Sequence, residues 1–226
     1  MSDALPLFPL NTVLFPGIVM PLYIFEDRYR ALVRDLRALP PDSDREFGVV
    51  AIKVGYDVGE RGVHTIQRTG CAALVTEITP HPDGSYQIVV VGRRRFRVES
   101  LDPTRDYLRA AVEWLPDSPG GDSPHDAAKA AATAHDVFTL YRNTIERLRG
   151  DDVLTGETPR DPVDLSYTLS AALVLPLAER QSLLEAHDVV TRLRLGTAMM
   201  RAELRAITAI PSLPATSMAR TQWSAN

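Results

Sequence analysis

The sequence predicts an α+β protein: a small β-barrel or curled antiparallel sheet carrying one embedded helix, followed by a C-terminal α-helical bundle. Three observations lead there. Residues 46–115 carry strand patterning almost throughout, and a single amphipathic helical stretch precedes them. Residues 116–124 read PDSPGGDSP, a composition that suits neither helix nor strand. Beyond them the chain turns rich in alanine and leucine, with helix start signals.

Residues 4–25, ALPLFPLNTVLFPGIVMPLYIF, are too interrupted by proline for a helix and suit short buried strands and turns, with Phe15-Pro16-Gly17 as a turn signal. Over 26–38 the period changes. Phe25, Tyr29, Leu32, Val33, Leu36 and Leu39 fall on one helical face, and Asp27, Arg30, Arg34 and Arg37 on the other, until Pro40-Pro41 stops the helix. Strands are expected at 47–54, 64–78, 86–101 and 107–115. A Gly-rich loop at 55–62 and a Pro82-Asp83-Gly84 hairpin turn lie between them. Helices are expected at 125–149, from Asp161-Pro162 to about Val174, at 177–187, and from an Asp188 cap to about Ala209. The division is therefore 1–116 for the strand-rich part, 117–124 for a linker, 125–209 for the helical part and 210–226 for a loose tail in which Trp223 is the one candidate for docking.

Composition narrows the function classes. Apolar residues make up 45% and the formal net charge is −4. Neither half carries the basic excess of a general nucleic-acid binder. A single cysteine, Cys71, forbids an intrachain disulfide and fits a reducing compartment. The acidic Met-Ser-Asp start and four early prolines do not suit a signal peptide, and no apolar run is long enough to span a membrane, so a cytoplasmic location is expected.

Only Lys53 and Lys129 are lysines, in Ile-Lys-Val and Ala-Lys-Ala. A phosphate loop needs Gly-Lys-Ser/Thr, with lysine neutralising the phosphates and the hydroxyl holding magnesium, so nucleotide hydrolysis by that route is excluded. A serine–lysine peptidase would need one of the same two as its base. Cys71, in Gly-Cys-Ala-Ala-Leu-Val, reads as a small buried apolar residue. No pair among His64, His81, His125, His135 and His187 has the i, i+3 or i+4 spacing that sets two metal ligands on one helix face. Asp151-Asp152 reads as a solvated turn, and Glu26-Asp27 as favourable charge at a helix start. No catalytic residue, metal or cofactor is expected. In Arg93-Arg94-Arg95-Phe96-Arg97, strand alternation places Phe96 and Val98 with Ile88 and Val90 toward the core and turns Arg93, Arg95 and Arg97 outward. Arginines beside an aromatic can grip phosphates and stack on bases, which makes this trio the candidate RNA contact.

Longer motifs then carry a resemblance. Leu5-Pro6-Leu7-Phe8-Pro9-Leu10, Val13-Leu14-Phe15-Pro16-Gly17 and Pro21-Leu22-Tyr23-Ile24-Phe25-Glu26-Asp27-Arg28-Tyr29-Arg30 resemble the opening of the Lon protease N-terminal domain family. Phe47-Gly48-Val49-Val50, Asp83-Gly84-Ser85, Gly92-Arg93-Arg94-Arg95-Phe96-Arg97-Val98, Arg180-Gln181-Ser182-Leu183-Leu184-Glu185 and Arg192-Leu193 extend the resemblance over about 4–205. Thr69-Gly70-Cys71-Ala72-Ala73 departs mildly from that family's Val-Gly-Thr-x-Ala strand. The resemblance implies a PUA-like six-stranded barrel with one helix, followed by a helical bundle, and a role in recognising polypeptides. The chain is expected to stand alone, without ATPase or peptidase, as a non-catalytic module for unfolded polypeptide or a protein partner, an accessory in protein quality control. An RNA-binding PUA-like module is the alternative. The polypeptide site is expected on the outer face of the early helix, Asp27, Arg30, Arg34 and Arg37, beside Tyr23 of the Pro-rich entrance: guanidinium groups bond main-chain carbonyls and acidic side chains, while apolar atoms take the side chains. Pro9, Phe15, Pro16, Gly17, Pro21 and Phe25 are expected to shape the entrance rather than bind.

Overall fold

The computed structural model describes residues 4–53, 66–104, 106–123, 125–149 and 158–209. The start of the expected 64–78 strand with His64, the Gly-rich loop, Asp151-Asp152 and the tail with Trp223 lie outside them. In chain order the elements are β1 (Leu5–Leu10), β2 (Val19–Ile24), α1 (Asp27–Ala38), β3 (Glu46–Ile52), β4 (Ile66–Pro80), β5 (Tyr86–Asp102), β6 (Arg109–Leu115), α2 (Asp126–Arg149), α3 (Pro162–Ala172), α4 (Leu177–Glu185) and α5 (Val189–Ala209).

Local chemistry sets most boundaries. Leu39 is extended and Pro40 follows it, so α1 stops there. Asp161 accepts hydrogen bonds from the Val163 and Asp164 amides, with Pro162 as the first helical residue of α3. Asp188 does the same for α5 through the Thr191 amide, at 2.7 Å. Gly84, at φ +82°, turns β4 into β5, and Asp83 Oδ1 closes that turn by accepting from the Ser85 amide at 3.0 Å.

The strands run in the order β2-β5-β4-β3-β1-β6, and β6 also pairs with β5, bringing the sheet back on itself. It is not a clean antiparallel barrel. β1 pairs with β3 in parallel, β2 hangs outside on β5 alone, and register shifts interrupt β4–β5. One of these shifts sets Arg93 and Arg94 together against Ala72, a bulge that slips side-chain alternation by one. Phe96 and Val98 are buried accordingly with Leu7, Val50, Ile66 and Ala110, in a cluster separate from the one holding Ile88 and Val90.

That second cluster seats α1. Tyr29, Leu32, Val33 and Leu36 pack on Phe8, Phe47, Val49 and Cys71. Phe25 and Leu39 do not join the buried face assigned to them, because they flank the helix and so leave its 3.6-residue period. The largest cluster belongs to the helices, with Phe138 and Tyr141 of α2, Leu165, Tyr167 and Leu169 of α3, Leu183 and Leu184 of α4 and Leu193 of α5, but Val13, Phe15 and Ala51 enter it from the strand side. Sheet and helices thus share apolar core. The 116–124 segment joins them: Ser118 and Pro119 carbonyls accept from the Val189 and Val190 amides.

Candidate functional site

β2 is an edge strand, and it presents apolar side chains to solvent. Val19 is 60% exposed, Tyr23 55% and, just past the strand, Phe25 64%. The Tyr23 and Phe25 rings stack with centroids 6.2 Å apart, and His81 meets Tyr23 edge-on at 5.9 Å. Tyr23 is fixed at its tip: its hydroxyl lies 2.9 Å from Ser85 Oγ and 3.5 Å from Asp83 Oδ2 on the β4–β5 hairpin. Ser85 donates both its amide and its hydroxyl to Asp83, which holds that carboxyl below the usual carboxylate range. Single exposed apolar residues are ordinary, but a stacked aromatic pair on an open strand edge forms a ledge.

The outer face of α1 borders the ledge. Arg30 is committed there: it pairs with Asp27 and reaches the Asp83 carbonyl at 3.4 Å, and the Arg30 bond holds the Asp27 carboxyl low. Arg34 is exposed and makes no side-chain hydrogen bond or ion pair among the described residues, though its charge also helps hold Asp27 low. Arg37 lies 5.8 Å from the centre of the Tyr86 ring and, with Arg45, Val75, Thr76 and Ile78, lines a groove of about 280 Å³. Arg45 is half-buried there and donates to the Leu36 carbonyl at 3.1 Å. Of the residues expected from sequence, Tyr23 and Arg30 converge on the hairpin, Asp27 pairs with Arg30, and Arg34 and Arg37 continue along the same helix. Sequence reasoning missed Val19, Phe25, His81 and Arg45. The apolar residues at both parities of Val19–Ile24 offered no signal as to which of them meets water.

The arginine run on β5 is not the outward trio expected. Arg95 is 1% exposed. Alternation turns it away from Phe96, but α4, α5 and the segment after β6 cover that other face too. Arg95 donates to the Leu184 carbonyl at 3.0 Å, the Ala186 carbonyl at 2.6 Å and the Pro116 carbonyl at 3.0 Å, and pairs with Asp117 at 3.1 Å. Arg93 is exposed. Arg97 faces Glu113 at 3.7 Å, and Arg94 stacks 3.6 Å over the Trp114 ring with Glu46 at 3.8 Å.

Around Arg95 a buried polar junction assembles. Asp117 also takes the Tyr167 hydroxyl and lies 3.6 Å from Arg192. Arg192 donates to the Leu183 carbonyl at 3.2 Å and to Ser166 Oγ at 2.9 Å, and stands 4.0 Å over the Tyr167 ring. Burial pushes the Tyr167 hydroxyl up and the Arg192 guanidinium down. Nearby, Gln181 reaches the Thr69 carbonyl at 3.1 Å and Arg180 the Leu173 and Val13 carbonyls at 3.3 and 3.4 Å. These residues of the Gly-x-x-Arg-Phe, Arg-Gln and Arg-Leu motifs fasten helices to sheet.

Candidates for chemistry are dispersed. Cys71 is fully buried, and burial pushes its thiol up to about 12. Lys53 follows β3, and Lys129 is exposed on α2. Among the described residues, no three His, Cys, Asp or Glu side chains gather as metal ligands, and no helix is long and apolar enough to cross a membrane.

Comparison with known proteins places this arrangement. The family model of the ATP-dependent protease La (LON) substrate-binding domain matches residues 4–202. The chain is 29% identical to the Lon protease of Escherichia coli strain K12 over 201 residues, covering 88% of this chain and 25% of that protein. It is 30% identical to Lon protease 2 of Sorangium cellulosum over 213 residues, covering 91% and 25%. The chain therefore spans about a quarter of the length of these relatives. The crystal structure of a Lon N-terminal domain protein from Xanthomonas campestris matches with a TM-score of 0.59 at 26% identity, over 92% of this chain and 99% of that one. The N-terminal domain of Mycobacterium avium complex Lon protease shares the fold, with a TM-score of 0.66 at 20% identity over 88% and 98%. The chain belongs to the Lon substrate-binding domain family.

Proposed function

We propose that this chain is a non-catalytic polypeptide-binding module that takes an unfolded segment or a protein partner along the β2–α1 ledge, as a cytoplasmic accessory in protein quality control. The observation that carries the reading is the stacked, exposed Tyr23–Phe25 pair on the edge strand, with Arg30 of α1 reaching the same hairpin and exposed Arg34 and Arg37 further along that helix. Apolar side chains of an extended ligand pack on the rings, and its carbonyls and carboxylates meet the guanidinium groups. In this reading residues 1–116 present the surface and 125–209 brace it, with 117–124 as the joint. The family's description as a substrate-binding domain supports the role, and the lysine placement argues against phosphate-loop or serine–lysine chemistry in this chain.

The RNA alternative, a PUA-like module gripping through Arg93, Arg95 and Arg97, is weakened. Arg95 is engaged at the junction and Arg97 faces Glu113, which leaves Arg93 and the Arg94–Trp114 stack.

A charge-reversal variant, R34E/R37E, tests the proposal against a permanently unfolded model protein followed by fluorescence anisotropy. Weaker binding by at least about fivefold, in a variant that melts like wild type, is expected for two lost charge-assisted contacts at an exposed site. Unchanged affinity would remove the basic row from the site. Saturable capture of single-stranded RNA in place of polypeptide would favour the alternative.

A further inference from the structure

A second hollow lies between α2 and α5. It has a volume of about 330 Å³ and is lined by Asp126, Lys129, Ala130 and Thr133 of α2 and by Arg194, Thr197, Ala198 and Arg201 of α5. Ala130 and Ala198 leave it open, since neither side chain extends past Cβ. Lys129, Arg194 and Arg201 are all exposed, and none of their side chains has a hydrogen-bonding or ion-pair partner among the described residues. Arg194 and Arg201 are seven residues apart, two turns of one helix face, so they approach the hollow from its two ends.

The one carboxylate in the lining is already engaged. Asp126 Oδ2 accepts the Asp122 amide at 2.9 Å and the Ser123 amide at 3.0 Å. Three cations therefore face a site whose only acid is tied to the preceding turn, in a chain of net charge −4. Clustering like charges without counter-charge is unfavourable by itself, and an anion relieves it. The hydroxyls do not substitute for one: Thr133 donates to the Lys129 carbonyl at 3.0 Å and Thr197 to the Leu193 carbonyl at 2.7 Å.

We propose that the α2–α5 hollow binds a small, multiply charged, phosphate-bearing anion. Two guanidinium forks match paired phosphate oxygens, and Lys129 adds a point charge from the facing helix. The hollow is large enough for two linked phosphoryl groups, and the two-turn arginine spacing suits a ligand with charge at both ends. The site stands apart from the polypeptide ledge and does not depend on it.

Titration of the full chain with inorganic pyrophosphate at low ionic strength, followed calorimetrically, tests the site. Saturable binding that weakens as salt rises is expected. R194Q/R201Q should lose at least about tenfold in affinity, since hydrogen bonds to charged groups are the strong ones. R34Q/R37Q, on the ledge, should bind like wild type. If R194Q/R201Q proves misfolded by circular dichroism, K129Q decides in the same way. Absence of saturable pyrophosphate binding by the wild type, or equal affinity in folded R194Q/R201Q or K129Q, overturns the proposal. So does binding of a short DNA duplex where pyrophosphate shows none, which would make the surface a nucleic-acid contact instead.

Discussion

Arginine serves opposite ends in two regions of this molecule. At the sheet–helix junction Arg95 and Arg192 are buried, and each donates to several carbonyls around a shared Asp117. On the β2–α1 ledge Arg34 and Arg37 are exposed along the helix that follows the exposed Tyr23–Phe25 pair. The contrast separates residues that hold the fold from residues free to act. A buried guanidinium that fills its donors with carbonyls from separate elements fixes where those elements sit, and has little left for a ligand. An exposed one loses little stability when replaced and keeps its donors available. The motifs at 92–98 and 192–193 supply the first region, whereas those at 21–30 and 83–85 lie on the ledge, so a motif announces the family without by itself telling a fold-holding residue from one free to act.

Substitutions at the two regions should therefore separate stability from binding. The largest effect is expected at Arg95. Arg95→Met leaves the Asp117 carboxylate and the Leu184, Ala186 and Pro116 carbonyls short of a donor, and should cost about 3–5 kcal/mol in urea denaturation. Arg95→Lys should not restore stability, because an ammonium cannot reproduce the guanidinium fork. A midpoint within error of wild type would show that the junction is not what fastens the helices. Phe96→Ala, in the fully buried cluster with Leu7 and Val50, should also cost about 3–5 kcal/mol, read the same way. Smaller is Asp161→Ala, which removes the acceptor for two α3 amides and should cost about 1 kcal/mol.

Those residues also show what the sequence reveals and why it stops. Asp161-Pro162, Pro40 and Asp83-Gly84 act through bonds to near neighbours, so their roles are readable from spacing alone. Phe96 is readable as buried but not as to which cluster, because the Arg93–Arg94 bulge against Ala72 reverses the alternation. Arg95 is misread as exposed because alternation identifies opposite faces without saying that both are covered, and its cover comes from helices about ninety residues later. On the ledge, Arg30, Arg34 and Arg37 are legible from helical period as one outer face, while Tyr23 is suggested by the Pro-rich entrance and not by strand parity. The openness of Phe25 and the support from His81, Asp83 and Ser85 are not legible, since they depend on a hairpin packing against an edge strand.

A pH effect sharpens the contrast further. Cys71, against the seat of α1, keeps its proton in the fold until about 12, whereas in the unfolded chain it ionises near its ordinary 9.0. Below that ordinary value both states hold the proton and Cys71 adds no pH dependence. Above it the unfolded state alone releases the proton, so stability falls as pH rises from there toward about 12. The denaturation midpoint of Cys71→Ala should fall less steeply over this interval than that of wild type. Parallel slopes would mean that the thiol is not shielded.

The smallest stability effect and the largest functional one are expected together on the ledge. Tyr23→Ser/Phe25→Ser removes two mostly exposed rings, and its denaturation midpoint should stay within about 0.5 kcal/mol of wild type for each ring. The most direct measurement is the affinity of this double variant for a permanently unfolded model protein, taken beside its melting curve. A folded variant that binds at least about tenfold more weakly, the usual consequence of deleting aromatic anchors, is the expected result. A folded variant that binds as tightly as wild type would contradict the assignment of polypeptide recognition to the β2–α1 ledge.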